Sequence, residues 1–285
     1  MTTVKIGGVP EHFNLPWYTT LKSGAYKNEG INLRWTDYHG GTGQMCKALR
    51  NGEIDIAVVL TEGIIKDITE GNPSKIIQVY IKTPLIWGIH VAANSEFNSI
   101  NDLKGRKAAI SRFGSGSHLM SYINAERHNW NIKKDLNFEI IKNLDGAVEG
   151  LTSGKADYFL WEKFTTKPIV DKGVFRHLGN CPTPWPCFVI AVRDEFIENK
   201  KELLQTILNI INIETLTFKS LNDIDLMVSK RYKQKINDVR EWLSLTEWSQ
   251  SNIDKNTILN TQNSLFKLNI IKEKIDYSSL VFTDI

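Results

Sequence analysis

The residues best suited to chemistry sit in short clusters. Gly114-Ser115-Gly116-Ser117, flanked by Arg112-Phe113 and by His118, has the composition of a turn that opens a helix. Free amides at a helix N-terminus attract a carboxylate, sulfonate or phosphate; serine hydroxyls would add donors and Arg112 a positive charge. A serine N-cap following a turn accounts for the same residues without any ligand. Gly40-Gly41-Thr42-Gly43 offers the same two readings earlier in the chain, with Gly41 and Thr42 as the contact candidates. Neither cluster has the third glycine of a dinucleotide-binding fingerprint. Glu62 and Glu162 could each accept a hydrogen bond from an amine or a ring N–H; a glutamate in a first helical turn also simply complements the helix dipole. Glu11 and His12 could serve as acid and base or as hydrogen-bonding groups, although a loop histidine is commonly just solvated. Phe13, Trp17, Phe113, Trp161 and Trp185 could line a stacking pocket or belong to the core, and Thr61 and Thr183 lie beside them in sequence.

Other chemistries have no support. The chain has no Gly-x-Ser-x-Gly, no phosphate-binding Walker loop, no His-Glu-x-x-His and no Cys-x-x-Cys, and its six histidines are scattered. The expectation is no metal, no cofactor and no catalytic group. A net charge of +3 without a basic run gives no reason to expect nucleic acid as a partner. Three cysteines, Cys46, Cys181 and Cys187, suit a reducing compartment. Pro182, Pro184 and Pro186 hold the last two apart in extended chain, so all three are expected to be free thiols. The chain opens Met1-Thr2-Thr3-Val4-Lys5-Ile6, without a basic then apolar leader, and no apolar run is long enough to span a bilayer. A cytoplasmic protein is the expectation.

The elements that must position these clusters repeat. Val4–Val9, Ile31–Tyr38 and Ile54–Leu60 read as strands, with helices over Leu15–Lys27, from the Gly40-Gly41-Thr42-Gly43 turn to Asn51-Gly52, and from Thr61 to Gly71. The β-α-β-α-β-α order implies a parallel, doubly wound sheet. The same order returns over Lys107–Ser111, a helix opened by Gly114-Ser115-Gly116-Ser117 and running to about Trp130, Phe138–Lys142, Gly146–Ser153 and Tyr158–Trp161. Leu49-x-x-Gly52-x-x-Asp55 recurs as Leu151-x-x-Gly154-x-x-Asp157, an offset of 102 residues. Two related α/β lobes explain this agreement better than a chance likeness of helix–glycine–strand junctions. The run Ile76–Ala92, broken at Thr83-Pro84, and the proline-rich run Asn180–Val192 read as the two crossings between lobes. Lobe 1 is then 1–85 plus 190–285, and lobe 2 is the inserted 86–189. Beyond Arg193 the spacing becomes helical, as a tail that packs on lobe 1. In doubly wound folds ligands lie beyond the carboxyl ends of strands, which gathers the candidate residues above into the loops after each strand.

The stretch Lys5-Ile6-Gly7-Gly8 … Gly40-Gly41-Thr42-Gly43 … Ala48-Leu49-x-x-Gly52-Glu53-x-Asp55-Ile56-Ala57-Val58 resembles the nitrate, sulfonate and taurine substrate-binding proteins and their thiamine-precursor relatives. Asn101-Asp102-Leu103-Lys104-Gly105-Arg106-Lys107 resembles that group's start of the second lobe. Trp161-Glu162-Lys163-Phe164-Thr165-Thr166-Lys167-Pro168 and Thr183-Pro184-Trp185-Pro186 look closer to its short branch without signal peptides. The likeness covers residues 4–195. It implies a type 2 periplasmic-binding-protein fold: α/β, with two doubly wound lobes, two hinge strands and a small molecule held between the lobes. The cysteine-rich motif of the thiamine-pyrimidine synthases has no equivalent here. Three functions follow: an intracellular binder acting as receptor, carrier or sensor; a cytosolic enzyme on the same fold, of thiamine-pyrimidine or menaquinone type; or an exported transport receptor with a permease partner. The first is preferred. Its ligand is expected to be heteroaromatic or amine-bearing, with an anionic group.

Overall fold

Short β-branched runs separated by glycine-closed amphipathic segments are expected to fold into alternating strands and helices, and they do. The computed structural model describes residues 1–285. In chain order the first elements are β1 (Thr2–Gly8), α1 (Leu15–Ser23), α2 (Ala25–Asn28), β2 (Ile31–Asp37), α3 (Thr42–Arg50), β3 (Ile56–Leu60), α4 (Thr61–Thr69) and β4 (Ser74–Ile81). Next come β5 (Ile86–Ala92), β6 (Lys107–Ile110), α5 (Gly116–Arg127), β7 (Asn137–Ile140), α6 (Leu144–Thr152), β8 (Tyr158–Glu162), α7 (Lys163–Asp171) and β9 (Phe175–Pro182). The chain ends with β10 (Phe188–Arg193), α8 (Asp194–Asn199), α9 (Lys201–Thr217), α10 (Ile224–Tyr232), α11 (Ile236–Leu245), α12 (Lys255–Lys267) and α13 (Tyr277–Leu280).

The chain divides into two compact units, Met1–Thr83 with Trp185–Ile285, and Pro84–Pro184. Both boundaries fall earlier than the sequence suggested, at 83/84 rather than 85/86 and at 184/185 rather than 189/190. The second moves because Phe188 pairs with Leu60 and Ile81 in the first unit's sheet.

Each unit holds one five-stranded sheet, ordered β2-β1-β3-β10-β4 in the first and β7-β6-β8-β5-β9 in the second. The expected all-parallel sheets are in fact mixed. β1 runs parallel to β2 and β3, but β10 is antiparallel to both β3 and β4. In the second unit β6 runs parallel to β7 and β8, and β5 is antiparallel to β8 and β9. The reversed strand in each sheet is the one through which the chain arrives from the other unit. It is not the product of a strand–helix–strand crossover, so the handedness that makes such strands parallel does not bind it. Being interior, β10 buries an apolar run: Val189–Val192 and the neighbouring Ile56–Val59 are fully buried. Burying each such valine or isoleucine contributes about 1.5–3 kcal/mol.

The repeated Leu-x-x-Gly-x-x-Asp has a specific cause. Gly52 (φ 70°) and Gly154 (φ 74°) end α3 and α6 in the left-handed conformation that favours glycine. Three residues on, the Asp55 carboxylate accepts a hydrogen bond from Lys5 N (2.8 Å), and that of Asp157 accepts one from Lys107 N (2.7 Å). The backbone replies in kind, Asp55 N to Lys5 O and Asp157 N to Lys107 O, both 2.8 Å. Each motif therefore ends a helix and fastens the next strand to the first strand of its sheet.

The long helix expected over Leu15–Lys27 breaks at Gly24, whose φ of 79° separates α1 from α2. The C-terminal helices belong to the first unit. Two irregular segments cover the outer edge of β4: Val79 N donates to Ser251 O and Ser249 N to Tyr80 O, while Phe282 N donates to Ile76 O. Those bonds occupy backbone groups that a bare edge strand would leave open.

Candidate functional site

The carboxyl ends of the parallel strands place most of the candidate residues. In the first unit, the loop after β1 carries Glu11 through Asn14. Glu11 is half-buried and its carbonyl accepts from Asn14 N. His12 is 1% exposed, stacked on Phe13 (ring centroids 4.8 Å apart) and set edge-on to Trp242 (4.2 Å). Burial lowers its pKa to about 3, so it is neutral at physiological pH. The solvated loop histidine of the bland sequence reading is replaced by a packed one, because α11 supplies Trp242 across it. Phe13 packs against Phe188 and Trp242, and its carbonyl accepts from Tyr80 Oη and Trp248 Nε1. Trp17 is fully buried among Tyr26, Trp35 and Tyr80 and belongs to the core.

After β2, Gly41 adopts φ 67° as the residue before α3, and Thr42 Oγ1 accepts from Leu60 N (3.1 Å), joining two strand ends. After β3, Thr61 is fully buried; its hydroxyl donates to Pro186 O (2.5 Å) and its amide to Cys187 O (3.0 Å). Thr61 thus fastens the returning chain rather than facing a ligand. The next residue, Glu62, is 2% exposed. Trp185 Nε1 donates to its Oε2 (2.8 Å), while its buried Oε1 has no hydrogen-bond partner. Burial raises the Glu62 pKa to about 7. Trp185 is itself buried, so its role is to hold this carboxyl.

In the second unit the serine cluster opens α5 as expected, but its hydroxyls are spent locally. Ser115 Oγ accepts from His118 N and lies 3.1 Å from Ser117 Oγ, which accepts from Ser111 N (3.0 Å). The N-cap reading therefore explains the serines; Gly116 and Ser117 contribute first-turn amides that have no intrahelical partner. Gly114 (φ 75°) donates its amide to His118 Nδ1 (3.1 Å), which puts the imidazole hydrogen on Nε2. That Nε2 is buried without a partner, inside a ring of Phe113, Tyr122 and Phe138 at 4.7–5.2 Å. Burial lowers the His118 pKa to about 4. Arg112 is exposed, and Phe113 is 62% exposed.

Glu162 differs from Glu62 although the two occupy nearly equivalent places. It caps α7, accepting from Phe164 N (3.1 Å) through Oε1 and from Thr165 N (2.6 Å) and Thr165 Oγ1 (2.8 Å) through Oε2. Both oxygens are occupied, and its pKa too is raised by burial to about 7. Trp161 stacks on Phe159 (5.2 Å) and packs on the core of its unit. Thr183 Oγ1 accepts from Leu85 N (3.0 Å), closing the base of the second unit.

The sequence reading missed the aromatic residues supplied by late or distant elements: Tyr122 and Phe138 around His118, and Tyr232 and Trp242 around His12. Helical periodicity in the tail was visible, but which loop each helix covers is not a property of the spacing. None of the three cysteines forms a disulfide, and all three are buried. No group of three or more metal-ligating side chains comes together.

Two five-stranded sheets of the same order, each with one reversed strand brought in by a chain crossing, and polar side chains at the strand ends, define a type 2 periplasmic-binding-protein fold. Comparison with known proteins agrees. A family model described as Ca3427-like PBP matches residues 87–181. The chain is similar to the Candida albicans CA3427 gene product, at 24% identity over 99% of this chain and 97% of that one, with a TM-score of 0.90. It also resembles the alkanesulfonate-binding protein SsuA from Xanthomonas axonopodis pv. citri, solved bound to MOPS. Identity there is 13%, coverage 99% of both chains and the TM-score 0.83. The periplasmic aliphatic sulphonate binding protein SsuA from Escherichia coli is 16% identical over 99% of this chain and 92% of that one, with a TM-score of 0.75. At these identities the likeness establishes the fold. No curated protein sequence matches the chain. No helix is long and apolar enough to cross a membrane.

Proposed function

We propose that this protein is a solute-binding protein whose small-molecule ligand engages strand-end loops and stabilises the liganded state by its differential affinity. The observation that carries this reading is the Glu62 carboxyl. A buried acceptor without a partner costs about 1–3 kcal/mol, and the indole of Trp185 holds this one in place. The second unit carries donors of its own: the unpartnered Nε2–H of His118, the first-turn amides of α5 and the charge of Arg112. An anionic group on the ligand suits those donors, and the sulfonate ligands of the SsuA proteins are small molecules of that kind.

A cytoplasmic carrier or sensor is part of the same proposal, supported by three cysteines that form no disulfide. Cell fractionation tests it, and recovery in a membrane-external fraction would overturn it.

The binding itself is tested by thermal unfolding against a panel of alkylsulfonates, amino acids, pyrimidines and other small heteroaromatic acids and amines. A ligand at about 100 times its Kd adds roughly 2.7 kcal/mol, and the bound compound should be recovered unchanged. If no member of the panel raises the unfolding temperature, solute binding is the wrong reading.

A further inference from the structure

Glu62 and Glu162 stand at the ends of corresponding strands, β3 and β8, and both are almost wholly buried. Their surroundings have opposite outcomes. Glu162 uses both oxygens on the amides and hydroxyl of its own helix. Glu62 lies inside α4 instead, where its own amide is the one first-turn donor that acts on its carboxyl. One oxygen takes the Trp185 indole N–H, and the other takes nothing. Its neighbour Thr61 cannot fill the vacancy, since that hydroxyl is committed to Pro186 O. A second unmet acceptor lies in the chain after β1, at the start of α1: Asn14 Oδ1 is buried without a partner, while Asn14 Nδ2 donates to Val9 O (2.8 Å).

Unmet buried acceptors in the segments that follow β1 and β3 call for donors. Resting on the solute-binding reading above, we infer that Glu62 Oε1 is the recognition point for an N–H donor of the ligand, and that the solute carries an ammonium, amidinium or ring N–H group. Trp185 is the positioning residue: by fixing Oε2 it leaves Oε1 as the one oxygen free to accept. Once ionised, Glu62 excludes a sulfonate or carboxylate from this point, because a second anionic oxygen there would face a buried carboxylate with no intervening donor.

The test measures binding of benzylamine, benzamidine, benzyl alcohol, benzamide, benzoate and benzenesulfonate to the wild type and to Glu62→Gln, by calorimetry and by the ¹⁵N indole signal of Trp185. That signal is assigned with Trp185→Phe. Glutamine keeps an acceptor for the indole and removes the charge. The expected result is that N–H compounds bind best, that they shift the Trp185 signal, and that Glu62→Gln weakens the cationic ones by about tenfold or more. Preferential binding of benzoate or benzenesulfonate, indifferent to Glu62→Gln, would leave the solute-binding reading standing and overturn this one. Cation binding that leaves both the Trp185 signal and the Glu62→Gln affinity unchanged would overturn it equally. Failure of these compounds and of the whole wider panel would remove the solute-binding reading and this inference together.

Discussion

Replacing Glu62 by glutamine should change how the protein's stability responds to pH, and the change can be sized from the site. Burial raises the Glu62 pKa from its ordinary 4.5 to about 7. A carboxyl whose pKa is higher folded than unfolded binds its proton more tightly in the folded state. Its contribution is complete below the unfolded value, is lost as pH rises from about 4.5 through about 7, and is constant above that. At about 1.4 kcal/mol per pH unit of displacement, the wild type forfeits about 3 kcal/mol across that window, and Glu62→Gln does not. For a folding unit of 150–250 residues this corresponds to roughly 6–12 °C. The measurement is the unfolding temperature of both proteins from pH 4 to 8.5. The other buried groups, Glu162 in the same direction and His12 and His90 in the opposite one, act alike in both proteins and cancel in the difference. The difference, variant minus wild type, should rise in favour of the variant between pH 4.5 and 7 and then flatten. A difference that stays level across the range would show that the Glu62 carboxyl is not held in its acidic form by burial, and the account of the site would fall with it.

Other consequences follow from the repeat and from the packing of the second unit. Asp55→Ala and Asp157→Ala each remove a carboxylate that accepts a strand amide, at 2.8 and 2.7 Å, and each should cost about 1–2 kcal/mol in urea unfolding. Because the two sites lie in separate units, the double variant should equal the sum within about 0.5 kcal/mol; a large coupling would contradict their independence. Gly146→Ala should destabilise the second unit by about 2 kcal/mol or more, since the new methyl would lie 1.9 Å from the backbone oxygen of Ile141. Gly150→Ala meets only the Ile141 side chain, at 3.0 Å, and should be much milder; equal costs in urea would disprove the backbone clash.

Local chemistry made the repeat readable. Gly52 and Gly154 are needed where a helix ends with positive φ, and Asp55 and Asp157 where the next strand must meet an amide of the first. Those demands act within a few residues, so they leave matching residue types 102 positions apart, from Leu49 to Leu151. The serine N-cap of α5 was legible in the same way. Strand direction at the crossings was not legible. An apolar run such as Phe188–Arg193 is equally suited to either direction, and its antiparallel course follows from where the preceding unit releases the chain. Nor could sequence separate the open glutamate from the closed one. Glu62 and Glu162 look alike because each follows a buried strand at the start of a helix. Glu162 finds its partners two and three residues away, on Phe164 and Thr165, within reach of local geometry. Glu62 meets its partner on Trp185, 123 residues along the chain, and only the folded sheet, which seats β10 beside β3, brings that indole to one oxygen and leaves the other free.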